Sequence, residues 1–400
     1  MPVSRASVLS ATIVGLAFGF SAGVSVGFSS VAKADGVKDY RIYQEYQSVR
    51  AMGMGNAYTA VADDYATLFY NPAGLARLEE GQLNLSLGGY LDTKFPKFYN
   101  DVKDAASTGT DSEKATNISN VLSNNFGNYY NARLSLLQAV WVRPGWGIAV
   151  LPIDLNMDMS VHQDGVASLN LIAHQDTTVA FGRGWDVHWL GPDHQLSMGV
   201  TGKAVYRGYF NKALTAADLS QNSNFLSADD ADEGMTVDAD YGLLWSPKIA
   251  KHSWWRVAKP TVGFVVRNIA DYGFKTNFHL IGKNTGVPDK LGRRFDVGAK
   301  FDLPEFWVFK PRVSADVRDM ADENFTFLKG THLGAEFLWK IRSWWQGGWR
   351  IGLNQGYFTA GFTGTLGIFT LDLVTYADEV GTSDRPKAVR NYGLRASLDF

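Results

Sequence analysis

The chain has 400 residues, no cysteine, 41 glycines and a formal net charge of −2. Without cysteine there is no disulfide framework, thiolate metal site or cysteine nucleophile, and a nearly neutral chain carries no basic field for nucleic acid. Twelve prolines and 46% apolar residues exclude collagen-like and low-complexity classes, and the mean hydropathy of −0.13 is a soluble-looking average that hides strong local patterning.

Residues 1–34 read as an export leader. Arg5 precedes a Ser/Gly-diluted apolar stretch from about Val8 to Phe28, and Ala32-Lys33-Ala34 places small residues at −3 and −1 of a cleavage site before Asp35. A membrane anchor is the competing reading, but the glycines, serines and small-residue exit fit cleavage better. No later window holds about 18 uninterrupted apolar residues, so no helix is expected to span a bilayer.

Residues 35–80 do not alternate. Arg50 to Asp64 is dominated by small residues, with Gly53 and Gly55 permitting tight turns beside Asn56, and it ends on Asp63-Asp64. Asn71 directly before Pro72 and Ala73 reads as a cap followed by proline in the first helical position, so that Ala73 to Ala76 forms a short helical turn.

From residue 81 onward period-two patterning takes over. In the last ten residues Tyr392, Leu394, Ala396, Leu398 and Phe400 share one face, opposite Arg395, Ser397 and Asp399. Alternation of this kind is a strand with different solvents on its two sides. Fourteen strands are predicted near 83–91, 132–142, 147–161, 167–182, 195–207, 236–245, 260–268, 293–302, 310–318, 332–340, 349–354, 357–366, 368–377 and 391–400. The third and fourth are the least regular. An even number of segments near ~10 residues suits an all-β, 14-stranded antiparallel transmembrane β-barrel of the outer membrane, which pairs every backbone group without an edge. At this size side chains do not fill the bore, and the 35–80 segment is a natural N-terminal plug, or hatch.

Two features of parity support the barrel. Connections 92–131, 162–166, 208–235, 269–292, 319–331, 355–356 and 378–390 include the longest. The alternating set 143–146, 183–194, 246–259, 303–309, 341–348 and 367 is shorter, as periplasmic turns are. All twelve tryptophans lie in or beside the short set, from Trp141 and Trp146 to Trp345 and Trp349. Indole favours the headgroup level, so this is a one-sided aromatic girdle. Lys248, Lys251, Arg256, Lys340 and Arg342 stand among the rings, suited to anionic lipid heads. A soluble β-protein core offers no reason for tryptophan to follow connection parity.

The run Ala57-Tyr58-Thr59-Ala60-Val61-Ala62-Asp63-Asp64, followed by Phe69-Tyr70-Asn71-Pro72-Ala73-Gly74-Leu75-Ala76, resembles the FadL-like superfamily of outer-membrane proteins, whose best-known members transport long-chain fatty acids. The resemblance implies fourteen strands, a hatch inside the bore and an Asn-Pro-Ala element in it, here Asn71, Pro72 and Ala73. The Asn-Pro-Ala-Gly-Leu-Ala form after Asp63-Asp64 looks closer to PorV-like and TraF-like proteins, which are associated with secretion or conjugation assemblies.

Candidate sites follow. The hatch motif is Gly53, Gly55, Asn56, Asp63, Asp64, Asn71, Pro72 and Ala73. Lumen-facing Arg294, Arg312, Asp316, Arg318 and Arg395 either pair along the inner wall or contact a ligand. Phe95, Phe98 and Tyr99, after the first strand, either form an exposed landing site for an apolar molecule or fold over the mouth. Gly182, Gly184, Gly361 and Gly364 read as glycines that ease barrel curvature. Seven scattered histidines without ligand spacing support no metal site. Asp229 to Glu233 reads as a solvated acidic tip. No nucleophile–base–orienter set is visible, so no enzyme and no cofactor are expected. Expected partners are a hydrophobic small molecule such as a fatty acid, outer-membrane lipids and, on the alternative reading, secretion-system proteins. A continuous apolar tunnel would favour passive transport; a polar, packed lumen would favour the assembly role.

Overall fold

The computed structural model describes residues 40–164, 166–221, 228–247 and 258–400. The leader, residues 35–39, and Lys248, Lys251, Trp254, Trp255 and Arg256 lie outside the described residues. Fourteen strands close on themselves: β1 (Gln82–Asp92), β2 (Tyr129–Arg143), β3 (Trp146–Asp164), β4 (Val166–Val187), β5 (His194–Thr215), β6 (Asp232–Pro247), β7 (Pro260–Arg267), β8 (Arg294–Asp302), β9 (Phe309–Met320), β10 (Thr331–Arg342), β11 (Trp345–Asn354), β12 (Tyr357–Leu366), β13 (Phe369–Glu379) and β14 (Ala388–Asp399). Every neighbour is antiparallel, and β1 closes on β14 from Asn84↔Asp399 to Asp92↔Asn391. Each predicted strand is present. β3, β4 and β5 run to 19, 22 and 22 residues, well past the ~10 that cross a bilayer.

The two faces of the wall differ as alternation requires. Leu85, Leu87, Val179, Phe181, Ile351, Leu353, Leu371, Leu373 and Leu394 stand exposed on the outside, while Asn84, Lys203, Asp240, Glu336, Asp372 and Arg395 are buried inside. Exposed apolar side chains in a continuous band are the lipid-facing belt of a transmembrane barrel. At the mouth with the short turns the belt ends in indoles: Trp307 and Trp189 are 88% and 82% exposed, with Trp141, Trp185, Trp344, Trp345 and Trp349 also exposed.

The connection after β1 departs from the expected loop. It forms two helices, α3 (Phe95–Ser107) and α4 (Asp111–Ser123); the labels α1 and α2 belong to two shorter helices of the hatch, Val49–Gly53 and Thr67–Tyr70. Thr110 and Glu113 close a capping box at the start of α4. Both helices pack on Tyr130, Ala132, Met157, Met159, Leu169, Leu171 and Phe210. On the same strands Arg133, Asp154, Asp176 and Arg207 reach into the bore, so these apolar residues occupy the opposite, outer face of the long strands. Where the strands outrun the hydrocarbon, the helices replace lipid as cover.

Brominated lipids test the girdle. Bromine near the headgroup is expected to quench the tryptophan fluorescence of the reconstituted barrel more strongly than bromine at the chain end.

Candidate functional site

The chain from Ile42 to Leu78 lies inside the barrel, with Tyr40 and Glu79–Glu80 exposed at its two ends. Small residues let its backbone touch the wall, and wall glycines meet it on strand after strand. A Cβ at Gly361 of β12 would fall 3.0 Å from Gly53 Cα, at Gly352 of β11 2.6 Å from Gly55 N, and at Gly334 of β10 2.4 Å from Met54 O. On β9 Ser314 donates to Ala57 O at 2.9 Å. Further round, Cβ atoms would lie 2.6 Å from Thr59 O at Gly263 of β7, 2.1 Å from Asn71 Oδ1 at Gly242 of β6, and 2.2 Å from Pro72 O at Gly199 of β5. Gly184 and Gly182 of β4 face Ala76 and Leu68 in the same way. The hatch therefore winds along the inner wall from β12 round to β4 over a track made largely of glycines. Gly182, Gly184 and Gly361 serve this close approach, a different use from the expected easing of curvature.

The hatch motif residues are brought together as the fastening of this segment. Gly55 has φ +63°, donates to Thr359 Oγ1 at 3.0 Å and takes a 2.8 Å bond from His332 Nδ1 on its carbonyl. Asn56, also at positive φ, accepts from the Tyr70 hydroxyl at 2.9 Å, and its carbonyl accepts from Arg318 at 3.0 Å. Asn71 caps a 3-10 helix over Pro72–Arg77 by accepting from Ala73 N at 3.1 Å. Its amide donates to Thr59 O and to Leu243 O of β6, tying hatch to hatch and hatch to wall.

Charge completes the attachment. Arg50 forms a two-pronged pair with Glu336 of β10 at 2.8 and 2.7 Å and also reaches Asp63 and Asp64. Arg312 of β9 holds Asp63 at 2.6 Å, and Arg350 of β11 holds Glu336 at 2.7 Å. Lys203 of β5 joins Glu45 at 2.7 Å and Asp240 at 3.0 Å. Asp316 accepts from Thr59 N at 2.7 Å, Arg294 donates to Tyr43 O at 2.6 Å, and Arg395 pairs with Asp372 at 2.8 Å beneath the Tyr65 ring. The lumen-facing charges singled out in the sequence are thus engaged by the hatch and by the wall. Glu45, Arg50, Lys203 and Glu336 were missed, although Lys203 and Glu336 sit on the inner parity of their strands and were open to the same test.

Burial alone would raise the carboxyls of both Glu45 and Asp63. Lys203, with help from Asn268 and Arg294, overcomes this and brings Glu45 down to about 2. Arg312, Arg50 and Lys300 hold Asp63 well below the usual carboxylate range. Buried pairs of this kind add little net stability when intact, but losing one partner typically costs about 3–5 kcal/mol.

Against β2, β3 and β4 the hatch contact is apolar towards the short turns and polar towards the long connections, where Arg133 donates to Gln44 O at 2.8 Å, Tyr43 donates to Asp176 at 3.1 Å and Arg41 pairs with Asp158. Tyr46, Tyr58, Leu68, Tyr70 and Leu75 pack on Val140, Val142, Ala149, Leu151 and Ala180. Two water-sized cavities lie among the described residues of the bore. One, of about 30 Å³, is lined by Tyr46, Phe69, Leu151, Thr178, Lys203 and Arg318 among others; a second, of about 20 Å³, lies beside Arg41, Tyr130 and Asp158. The wall ladder is broken along β1–β4, and Leu151 and Thr178, at the break between β3 and β4, also line the first cavity. β1 and β2 shift register between Ser86 and Gly88, and β3 and β4 between Leu151 and Asp154. Between β2 and β3, Leu137 and Gln138 are skipped opposite Leu151 and Pro152. Leu137 sits at φ +55° with 71% of its surface exposed, and Pro152 has no N–H to give.

The expected landing-site aromatics are not exposed. Phe95 and Phe98 are buried under the helices, Phe98 stacked 4.2 Å from Tyr130, and Tyr99 stacks on Phe95. The outward apolar face of β2–β5 draws these rings in, because above the hydrocarbon nothing else covers it. The acidic tip is paired, Asp230 with Lys212 and Asp229 with Lys283.

Two outcomes are expected. Gly242→Val leaves the wall able to close but drives Asn71 off it, so the 50–76 segment becomes protease-sensitive and ion conductance in planar bilayers rises. Because Glu45 and Asp63 titrate below their unfolded values, their stabilisation is complete above about pH 4.5 and is lost as pH falls towards the folded values. Protease access to the hatch should therefore increase between about pH 4.5 and 2.

No protein-family model matches the sequence, and no curated protein matches it. Similar solved structures include the toluene transporter TodX of Pseudomonas putida, with a TM-score of 0.42 and 9% identity over 90% of this chain and 99% of that one. Another is the toluene transporter TbuX of Ralstonia pickettii, at 0.40 and 9% over 88% and 97%. A third is a Pseudomonas aeruginosa FadL homologue, at 0.31 and 10% over 91% and 99%. In strand number, in closure and in carrying its amino-terminal segment inside the bore, the chain has the form implied by its resemblance to the FadL-like superfamily.

Proposed function

We propose that this chain is an outer-membrane barrel that lets small hydrophobic molecules, long-chain fatty acids among them, pass without an energy source. Entry is from the mouth with the long connections. The route follows from what blocks the bore. Along the axis a solute meets the ion-paired hatch, where an apolar molecule would separate buried charges and offer nothing in return. Sideways it meets the interrupted ladder of β2, β3 and β4, next to the cavity lined by Leu151 and Thr178 and close to the exposed Leu137. Opening a wall where backbone pairs are already missing sacrifices few hydrogen bonds, and the solute is delivered into hydrocarbon. That coincidence of broken ladder and cavity is the observation that carries the reading.

A second reading has its own observation. The lumen is polar and packed, which suits a barrel that acts as a docking platform in a secretion or surface-assembly system, like the PorV-like proteins. It predicts stable protein partners recovered by crosslinking in cells.

Uptake by proteoliposomes separates the two. Long-chain fatty acid entry is expected to be several-fold faster with the protein than without, and equal rates would sink the transport reading. A disulfide between Ala57→Cys and Ser314→Cys, which fixes the hatch to β9, is expected to leave uptake largely intact if the exit is sideways. Loss of uptake on oxidation would assign the route to hatch movement instead.

A further inference from the structure

The two ends of the hatch lie at opposite mouths of the barrel. At its carboxyl end Arg77 donates to Ser197 at 2.8 Å and Ser246 at 2.7 Å, near the short turns, and Leu75 O accepts from Gly145 in the β2–β3 turn. At its amino end Tyr40 and Arg41 meet the long connections. Lys329, in the short helix α6 (Phe327–Gly330; α5 is Ala216–Gln221) between β9 and β10, donates to Tyr40 O, and Asn324 of the same connection donates to Arg41 O at 3.4 Å. The Arg41 guanidinium spans the mouth, bound to Asp158 of β3 and, at 2.6 Å, to Asp378 of β13. Tyr40 is 38% exposed there.

We infer that the hatch enters the bore from the outer surface of the cell, with Tyr40 open to that surface and the segment held at the mouth by an Arg41 clasp between two walls of the barrel. The polypeptide therefore runs inward through the whole bore before β1 begins, and the first part of the hatch that an arriving molecule meets is the clasp. The same geometry decides between the two readings of the leader. An apolar anchor left attached ahead of Tyr40 cannot sit in the inner membrane while Tyr40 stands at the outer mouth, so the leader has to be removed for the hatch to seat. This inference rests on the path of the hatch and is independent of what the barrel transports.

The absence of native cysteine makes the test direct. Tyr40→Cys keeps the backbone carbonyl that Lys329 uses. In intact cells a charged maleimide that cannot cross the outer membrane should label Tyr40→Cys as fully as Asp384→Cys in the β13–β14 connection. Asp193→Cys in a short turn should label only after permeabilisation. Heat-modifiable gel migration checks that each barrel is folded. Intact-mass measurement of the wild-type protein, which needs no substitution, should return a chain lacking the leader. Labelling of folded Tyr40→Cys only after permeabilisation, a reversal of the two controls, or an intact mass that includes residues 1–34 would each overturn the inference.

Discussion

Hydrocarbon offers no hydrogen bonds, and the rest of the structure depends on that constraint. A strand crossing it must give every N–H and C=O to a neighbour, which forces closure and makes β1 meet β14. Closure in turn divides the side chains: one face per strand meets lipid and must be apolar, and the other meets the interior. Fourteen strands enclose more space than wall side chains fill, so the interior face is either wet or covered. Here it is covered by the chain's own first segment, and the charges on each surface find their opposites on the other. Arg50 lies against Glu336, Asp63 against Arg312, and Glu45 against Lys203.

Fit and charge divide the work. The glycine track brings hatch backbone to within van der Waals reach of the wall on strand after strand, which excludes water and leaves only small cavities. Charge then fixes the register of the segment, since a slide by one residue would leave several buried ions without partners, each a cost of several kcal/mol. The seat on β2–β4 is mixed: its half near the short turns is apolar and lies against the part of the wall whose ladder is interrupted, while Arg133, Asp158 and Asp176 bind the hatch nearer the other mouth.

Much of this was legible before the coordinates. Alternation located all fourteen strands, and the tryptophans named one rim because indole partitions by depth, whatever the strand order. The third and fourth strands read least clearly for two physical reasons. The extra residue at Pro152–Ile153 flips the parity of β3 partway along, so a single alternating template fails there. Beyond the hydrocarbon the outer faces of β2–β5 stay apolar because α3 and α4 cover them, erasing the contrast that alternation depends on. Phe95 and Phe98 stayed undecided between an exposed landing site and a fold over the mouth for the same reason, since nothing local distinguishes an exposed aromatic from one awaiting a partner strand. The glycine track was invisible because its meaning lies in what passes on the other side of each glycine. Pairings such as Arg50 with Glu336 join residues 286 apart, and no local pattern encodes them.

A bore filled with paired charges seals against two kinds of leak at once. Among the described residues, ions meet small spaces lined partly by paired charges, and an apolar solute moving along the axis meets buried pairs that it would have to separate. An outer-membrane protein that admits hydrophobic molecules while the membrane stays tight to ions needs that separation, because a path apolar enough for the solute along the axis would leave the wall's inner charges unpaired. Moving the solute path to the wall removes the conflict. On the proposed reading the interior stays polar and closed, and the crossing point is the gap in the ladder with Leu137 on its outer side and Leu151 on its inner side.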